Sequence, residues 1–201
     1  MRCVNFFAGP GTGKSTAATA LFSEIKRRGV NAEYIPEFAK DAAWENRGKK
    51  FFAAQQFIYG EQSWRFDRVK DDVDVMVTDS PLIMANVYMP KNFPMPALRD
   101  CMMQDFNRYD NLNIFLRRSK KFNPAGRKQD EAESIQLDAD IKAFLVSNDI
   151  EFTELDTGLL NPYEVIDLML CRGWGNLNYG CPALTNIPSK AELQTLIDYY
   201  Y

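Results

Sequence analysis

Short runs of consecutive apolar residues alternate along the chain with longer segments in which apolar residues recur every three or four positions. RCVNFFA (2–8) is such a run, and its abrupt end at glycines predicts a strand buried on both faces. The next segment, STAATALFSEIKRR, carries Leu21, Phe22 and Ile25 on one side and stops at Gly29, which predicts a helix. AEYIP (32–36) predicts a second strand, followed by a helix from about Ala39 and a longer one near 53–70. VDVMVTD (73–79) is apolar and β-branched, closes on an acid and the turn-forming Ser80-Pro81, and predicts a central strand. NLNIFLR (111–117) is the next strand. A helix is expected from about Asp130 to Asn148, where Leu137, Ile141, Phe144 and Leu145 fall at helical spacing. EFTEL (151–155) and NPYEVIDLMLCR (161–172) give a last strand and a last core helix.

Alternating strands and helices imply an α/β fold of three layers, with a parallel sheet covered by helices on both sides. With 201 residues and no internal repeat, one full core is expected over residues 1–172. Residues 173–201 change character, with Gly173, Gly175, Gly180, Pro182 and Pro188, and are expected to form an appendage packed on that domain. The other reading of this tail is a dimer contact or an aromatic ledge for substrate, using Trp174 and Tyr179.

Composition narrows the chemistry. Hydrophobic residues at 46% and charged residues at 25% exclude disordered and fibrous classes. A net charge of -3 supplies no overall attraction to nucleic acid or membrane, so contact with a polyanion requires a local basic patch. The start lacks a charged segment followed by a long apolar one, and no window approaches a membrane span, so a cytoplasmic location is expected. Cys3, Cys101, Cys171 and Cys181 are scattered, which indicates neither a zinc site nor a disulfide framework. The chain has no histidine, which removes imidazole bases and histidine-containing triads and zinc sites. Carboxylates, lysines and arginines are left to do the chemistry.

FFAGPGTGKST (6–16) sits between the first strand and the first helix. It fits G-x-x-x-x-G-K-[ST] with Ala8 in place of the first glycine. Gly9, Gly11 and Gly13 let successive amides turn inward, Lys14 reaches the outer phosphates and Ser15 can ligate magnesium, with Pro10, Thr12 and Thr16 completing the cradle. The ligand expected is a nucleoside triphosphate, ATP with Mg2+.

The fate of the bound triphosphate depends on other positions. Asp79, ending an apolar strand, is expected on the metal side; the bland alternative is a turn cap. Motor ATPases usually place a Glu directly after this Asp, and here Ser80 stands in that place, which disfavours hydrolysis; a guanine-reading N-K-x-D sequence is also absent. LRRSKKFNPAGRKQ carries Arg117, Arg118, Lys120, Lys121, Arg127 and Lys128 with no acid before Asp130. Such charge reads as a lid over about 117–130 that closes on triphosphate, with Arg127 and its neighbours stabilising the transferring group, against the alternative of a solvated loop. Glu37 comes after the second strand, where it either takes the proton of an acceptor hydroxyl or merely opens a helix. Asp79 remains the other candidate base.

The phosphate loop, Glu37, the Gln-bearing helix in AAQQFIYGEQSWR, TDSP and GRKQDEAES together resemble P-loop nucleoside and nucleotide kinases, in particular deoxynucleoside kinases and the ribosylnicotinamide kinase group. The resemblance spans roughly residues 2–170 and implies a three-layer P-loop NTPase fold with a basic lid. It gives Glu37 the role of base and Gln55 or Gln56 that of nucleobase partner. It also makes Trp44 a pocket wall, and Arg127 with Arg117 phosphate ligands. Those kinases carry an acid-Arg-Ser element where this chain has Asp79-Ser80-Pro81, so Arg65 or Arg68 would have to replace the acceptor-site arginine. The chain is also similar to small phage-encoded kinase-like ATPases, some of which phosphorylate 5-hydroxymethyluracil within DNA, and such an origin would place it in the host cytoplasm. The acceptor that these resemblances imply is a nucleoside, a nucleotide or a hydroxymethylated base in DNA. A nucleotide-dependent regulatory ATPase without a phosphoryl acceptor is the alternative.

Overall fold

A computed structural model describes residues 1–89, 96–119, 130–157 and 161–175. Five parallel strands form its centre: β1 (Arg2–Phe7), β2 (Ala32–Ile35), β3 (Val75–Thr78), β4 (Asp110–Arg117) and β5 (Thr153–Asp156), in the order β2-β3-β1-β4-β5. β1 is central, pairing Cys3 with Met76 on one side and with Asn111 on the other.

Helices α1 (Lys14–Arg27) and α8 (Pro162–Cys171) cover one face. Alternate strand residues Val4 and Phe6, Val75 and Val77, and Leu112, Ile114 and Leu116 meet Leu21, Ile25, Val165 and Met169 there. Cys3 and Met76 point to the other face, onto Phe66 of α4 (Gln55–Asp67). Phe7 and Phe115 pack with Phe106 of α6 (Pro96–Phe106) and with Ile141 and Leu145 of α7 (Glu131–Ser147). Burial on both faces is why these strands read as apolar runs rather than alternating ones.

Three helices were not expected from periodicity. α3 (Lys49–Ala53) is separated from α4 at Ala54, whose ψ of 63° breaks what reads as one helix near 53–70. α5 (Met84–Tyr88) and α6 are the others, and the short α2 (Phe38–Trp44) completes the set. Trp174 is 2% exposed, packs in the α1–α8 core and donates Nε1 to Asp110 at 2.7 Å. It is a core residue and not a substrate ledge. Tyr179, the remainder of 176–201 and the basic positions 120–129, Arg127 included, lie outside the described residues. No helix among the described residues is long and apolar enough to cross a membrane.

Candidate active site

The carboxyl ends of β1, β3 and β2 lie side by side, and the loops leaving them carry the motif residues. The loop from β1 enters α1 at Gly13, whose φ of 108° is strained for any other residue. Among the described residues no side chain caps α1, nor α2 to α5, whereas Asp130 caps α7 and Asn161 caps α8. The first amides of α1 and the positive end of its dipole are thus left to an external anion. Lys14 Nζ crosses the loop mouth to Ala8 O at 2.7 Å and Gly9 O at 3.1 Å, which leaves one of its three donors. Thr12 Oγ1 closes the turn on Gly9 O at 2.9 Å, while Thr16 is exposed.

Asp79 is buried directly after β3 and joins two of the loops. Its Oδ2 accepts the Ser15 hydroxyl at 2.5 Å and its Oδ1 accepts the Glu37 amide at 3.2 Å. Burial first, then the Asp79 charge, pushes the Tyr34 hydroxyl pKa up. Ser15 and Asp79 offer two hard oxygens within contact of each other. Among the described residues no group of three or more His, Cys, Asp or Glu could hold a metal. Mg2+ ordinarily takes one or two protein oxygens and completes its shell with phosphate and water, so this pair fits it.

Glu37 stands at the N-cap of α2, yet its side chain makes no capping bond. Burial, then the neighbouring Asp79 charge, holds its carboxyl above the ordinary glutamate value, against the pull of Lys14. Burial lowers the Lys14 ammonium, with Glu37, Asp79 and Asp138 opposing. Three carboxylates therefore act on one lysine.

The Glu37 loop is braced by a residue that periodicity and motif did not single out. Gln62 is buried and accepts the Phe38 amide at 2.9 Å, and its Nε2 donates to Pro36 O at 3.3 Å. Gln55 instead donates to Phe52 O at 2.7 Å, and Gln56 is exposed. The signal for Gln62 lay in its spacing from Ile58 and Phe66, which places it on the buried stripe of α4. Arg65 pairs with Asp41 at 2.5 Å, donates to Pro36 O and lies 5.3 Å from the Phe38 ring; Arg68 is exposed. Lys40, also unforeseen, brings a cation to Ser15 Oγ at 3.4 Å. Trp44 ends α2 with 65% of its surface exposed.

At β4 the two arginines separate. Arg117 pairs with Asp156 at 2.9 Å on the surface, whereas Arg118 turns to the phosphate loop and donates to Pro10 O at 3.0 Å. The structure thus brings together Lys14, Ser15, Asp79 and Glu37, and adds Lys40 and Arg118.

Among solved structures, the chain is similar to the NadR protein in complex with NR, at 19% identity and a TM-score of 0.65, over 86% of this chain and 52% of that one. It therefore spans about half the length of that protein. It is also similar to deoxyadenosine kinase from M. mycoides with bound dATP, at 19% identity and a TM-score of 0.53, over 85% of this chain and 98% of the other. No curated protein sequence matches it. A sequence-family model described as AAA domain (AAA_28) matches residues 3–161. The chain belongs to this AAA domain family and has the three-layer α/β fold of P-loop nucleoside kinases.

Proposed function

We propose that the protein is a kinase that transfers the γ-phosphoryl group of ATP to a hydroxyl of a nucleoside, a nucleotide or a hydroxymethylated base in DNA. The observation that carries this reading is the placement of Glu37, a carboxylate with no capping duty, beside Asp79 and Lys14 at the end of the neighbouring strand. A base there takes the proton of a hydroxyl as it attacks. The loop amides and Lys14 bind the polyphosphate and offset its charge, with Arg127 assigned to the transferring group. Ser15 and Asp79 would hold Mg2+, which supplies further charge neutralisation when bound. Arg65 and Lys40 border the acceptor side, and Gln55, Gln56 and Trp44 are the substrate contacts that the family resemblance implies.

Labelled ATP incubated with free nucleosides, nucleoside monophosphates, plain DNA and 5-hydroxymethyluracil-containing DNA tests the proposal. Label transferred to one class, lost in Lys14→Ala and slowed in Glu37→Gln with ATP affinity retained, is the expected result. ADP release that ignores every acceptor would instead identify a regulatory ATPase.

A further inference from the structure

Asp138 lies on α7, far along the chain from the phosphate loop, yet its carboxylate is bonded to that loop. Its Oδ1 accepts the Gly9 amide at 2.5 Å and its Oδ2 accepts Arg118 Nε at 3.0 Å. Arg118 Nη2 continues to Pro10 O at 3.0 Å, so one acid and one base clasp consecutive loop residues. The two side chains are only 12% and 18% exposed. The third guanidinium nitrogen, Nη1, is buried without a hydrogen-bond partner among the described residues. Gly9 has no room for a side chain, because a β-carbon would stand 2.5 Å from Ser134 O and 2.9 Å from Asp138 Oδ1. α7 is thus seated directly on the loop. The Asp138 charge also reaches Lys14 and Tyr88, and Tyr88 in turn senses Glu37.

A buried donor without an acceptor is uncommon and calls for an explanation. The guanidinium is planar, so fixing Nε and Nη2 also fixes where Nη1 points. Holding that donor beside the phosphate loop suits an oxygen that arrives with a ligand. We propose that Asp138 is a positioning residue for phosphoryl transfer, which fixes the Gly9 end of the phosphate loop and presents Arg118 to the oxygens of the bound nucleotide. This rests on the kinase function proposed for the site.

The test compares wild type with Asp138→Asn, Arg118→Ala, Arg118→Lys and the double variant Asp138→Asn/Arg118→Ala. ATP affinity is measured by calorimetry well below the melting temperature, with kcat and the acceptor KM beside it. Asn keeps an acceptor for the Gly9 amide and removes the charge that holds Arg118. Each single variant is expected to weaken ATP binding about tenfold and lower kcat while the acceptor KM stays put, a split that a purely structural residue would not produce. The double variant should be no weaker than Arg118→Ala, because the two residues act as one unit. Wild-type affinity in Asp138→Asn, or losses that multiply in the double variant, overturns the proposal. If Asp138→Asn does not fold, Arg118→Lys decides, since an ammonium cannot span both partners and still present a third fixed donor; wild-type behaviour there is equally fatal. A wild-type protein that binds no ATP would remove the kinase function itself, and the proposal with it.

Discussion

Gly9→Ala probes the closest approach of α7 to the phosphate loop. The added β-carbon would lie 2.5 Å from Ser134 O and 2.9 Å from Asp138 Oδ1. Ordinary carbon–oxygen contacts begin at about 3.3 Å, so the overlap is a large part of an ångström. Asp138 could swing aside, but Ser134 O is helix backbone, and relief means moving the loop or the helix. Overpacking of this kind costs about 1–3 kcal/mol. For a chain of this size each kcal/mol lowers the melting temperature by about 2–4 °C, giving a fall of roughly 2–12 °C. Gly60→Ala on α4 is the control: its β-carbon meets nothing within 4 Å. Inside a helix the same change should gain about 0.5–1 kcal/mol, a rise of roughly 1–4 °C. Calorimetric melting of both variants reads the difference directly. If Gly9→Ala melts at or above wild type while Gly60→Ala rises, α7 does not sit where these distances put it.

The raised carboxyl of Glu37 fixes a pH dependence. Ionising it costs the folded state more than the unfolded one, so its contribution to stability is fully present below the ordinary glutamate value and is lost as pH rises through the folded value. Glu37→Gln should therefore melt above wild type at about pH 8, with the gap closing toward about pH 4; a gap independent of pH contradicts the assignment. Gln62→Leu strands the half-buried Phe38 amide, at a cost of about 1 kcal/mol, and loosens the Glu37 loop. Its kcat should drop with ATP affinity unchanged, and an unaltered kcat would show that Gln62 does not brace the base. Trp174→Phe loses the bond to the exposed Asp110 carboxylate, about 1 kcal/mol or roughly 2–4 °C in melting, with nucleotide affinity intact; a variant that melts with wild type would remove the bond's contribution.

Much of the fold was legible because the central strands β1, β3 and β4 are buried on both sides and helices such as α1 and α8 show a one-sided stripe. The segment after Pro81 was not, because Leu82, Ile83, Met84, Ala85 and Met89 are all buried and no stripe survives to announce α5. Lys14, Ser15 and Asp79 could be read from local spacing, and Glu37 from its place after a strand. Arg118 and Asp138 could not, since their partners lie far off in sequence, and for Gln62 the stripe marked its burial but not its partners Pro36 and Phe38. Arg117 and Arg118 illustrate the difficulty. Adjacent residues at the end of a strand leave on opposite sides, so one reaches Asp156 of β5 and the other Asp138 of α7.

The strand order suits the proposed transfer. In β2-β3-β1 the phosphate loop leaves β1, Asp79 comes directly after the middle strand, and Glu37 comes after β2 on the far side. Neighbouring strands are about 4.8 Å apart, so the carboxyl end of β2 stands about 10 Å from that of β1, with Asp79 between them. A hydrolytic base placed directly after Asp79 would be close to the phosphate loop and need only a water. That position holds Ser80, whose amide is turned back to Thr78 Oγ1 at 3.0 Å. The proposed function needs such a separation, to seat a phosphoryl group and the hydroxyl that receives it between the loop and Glu37.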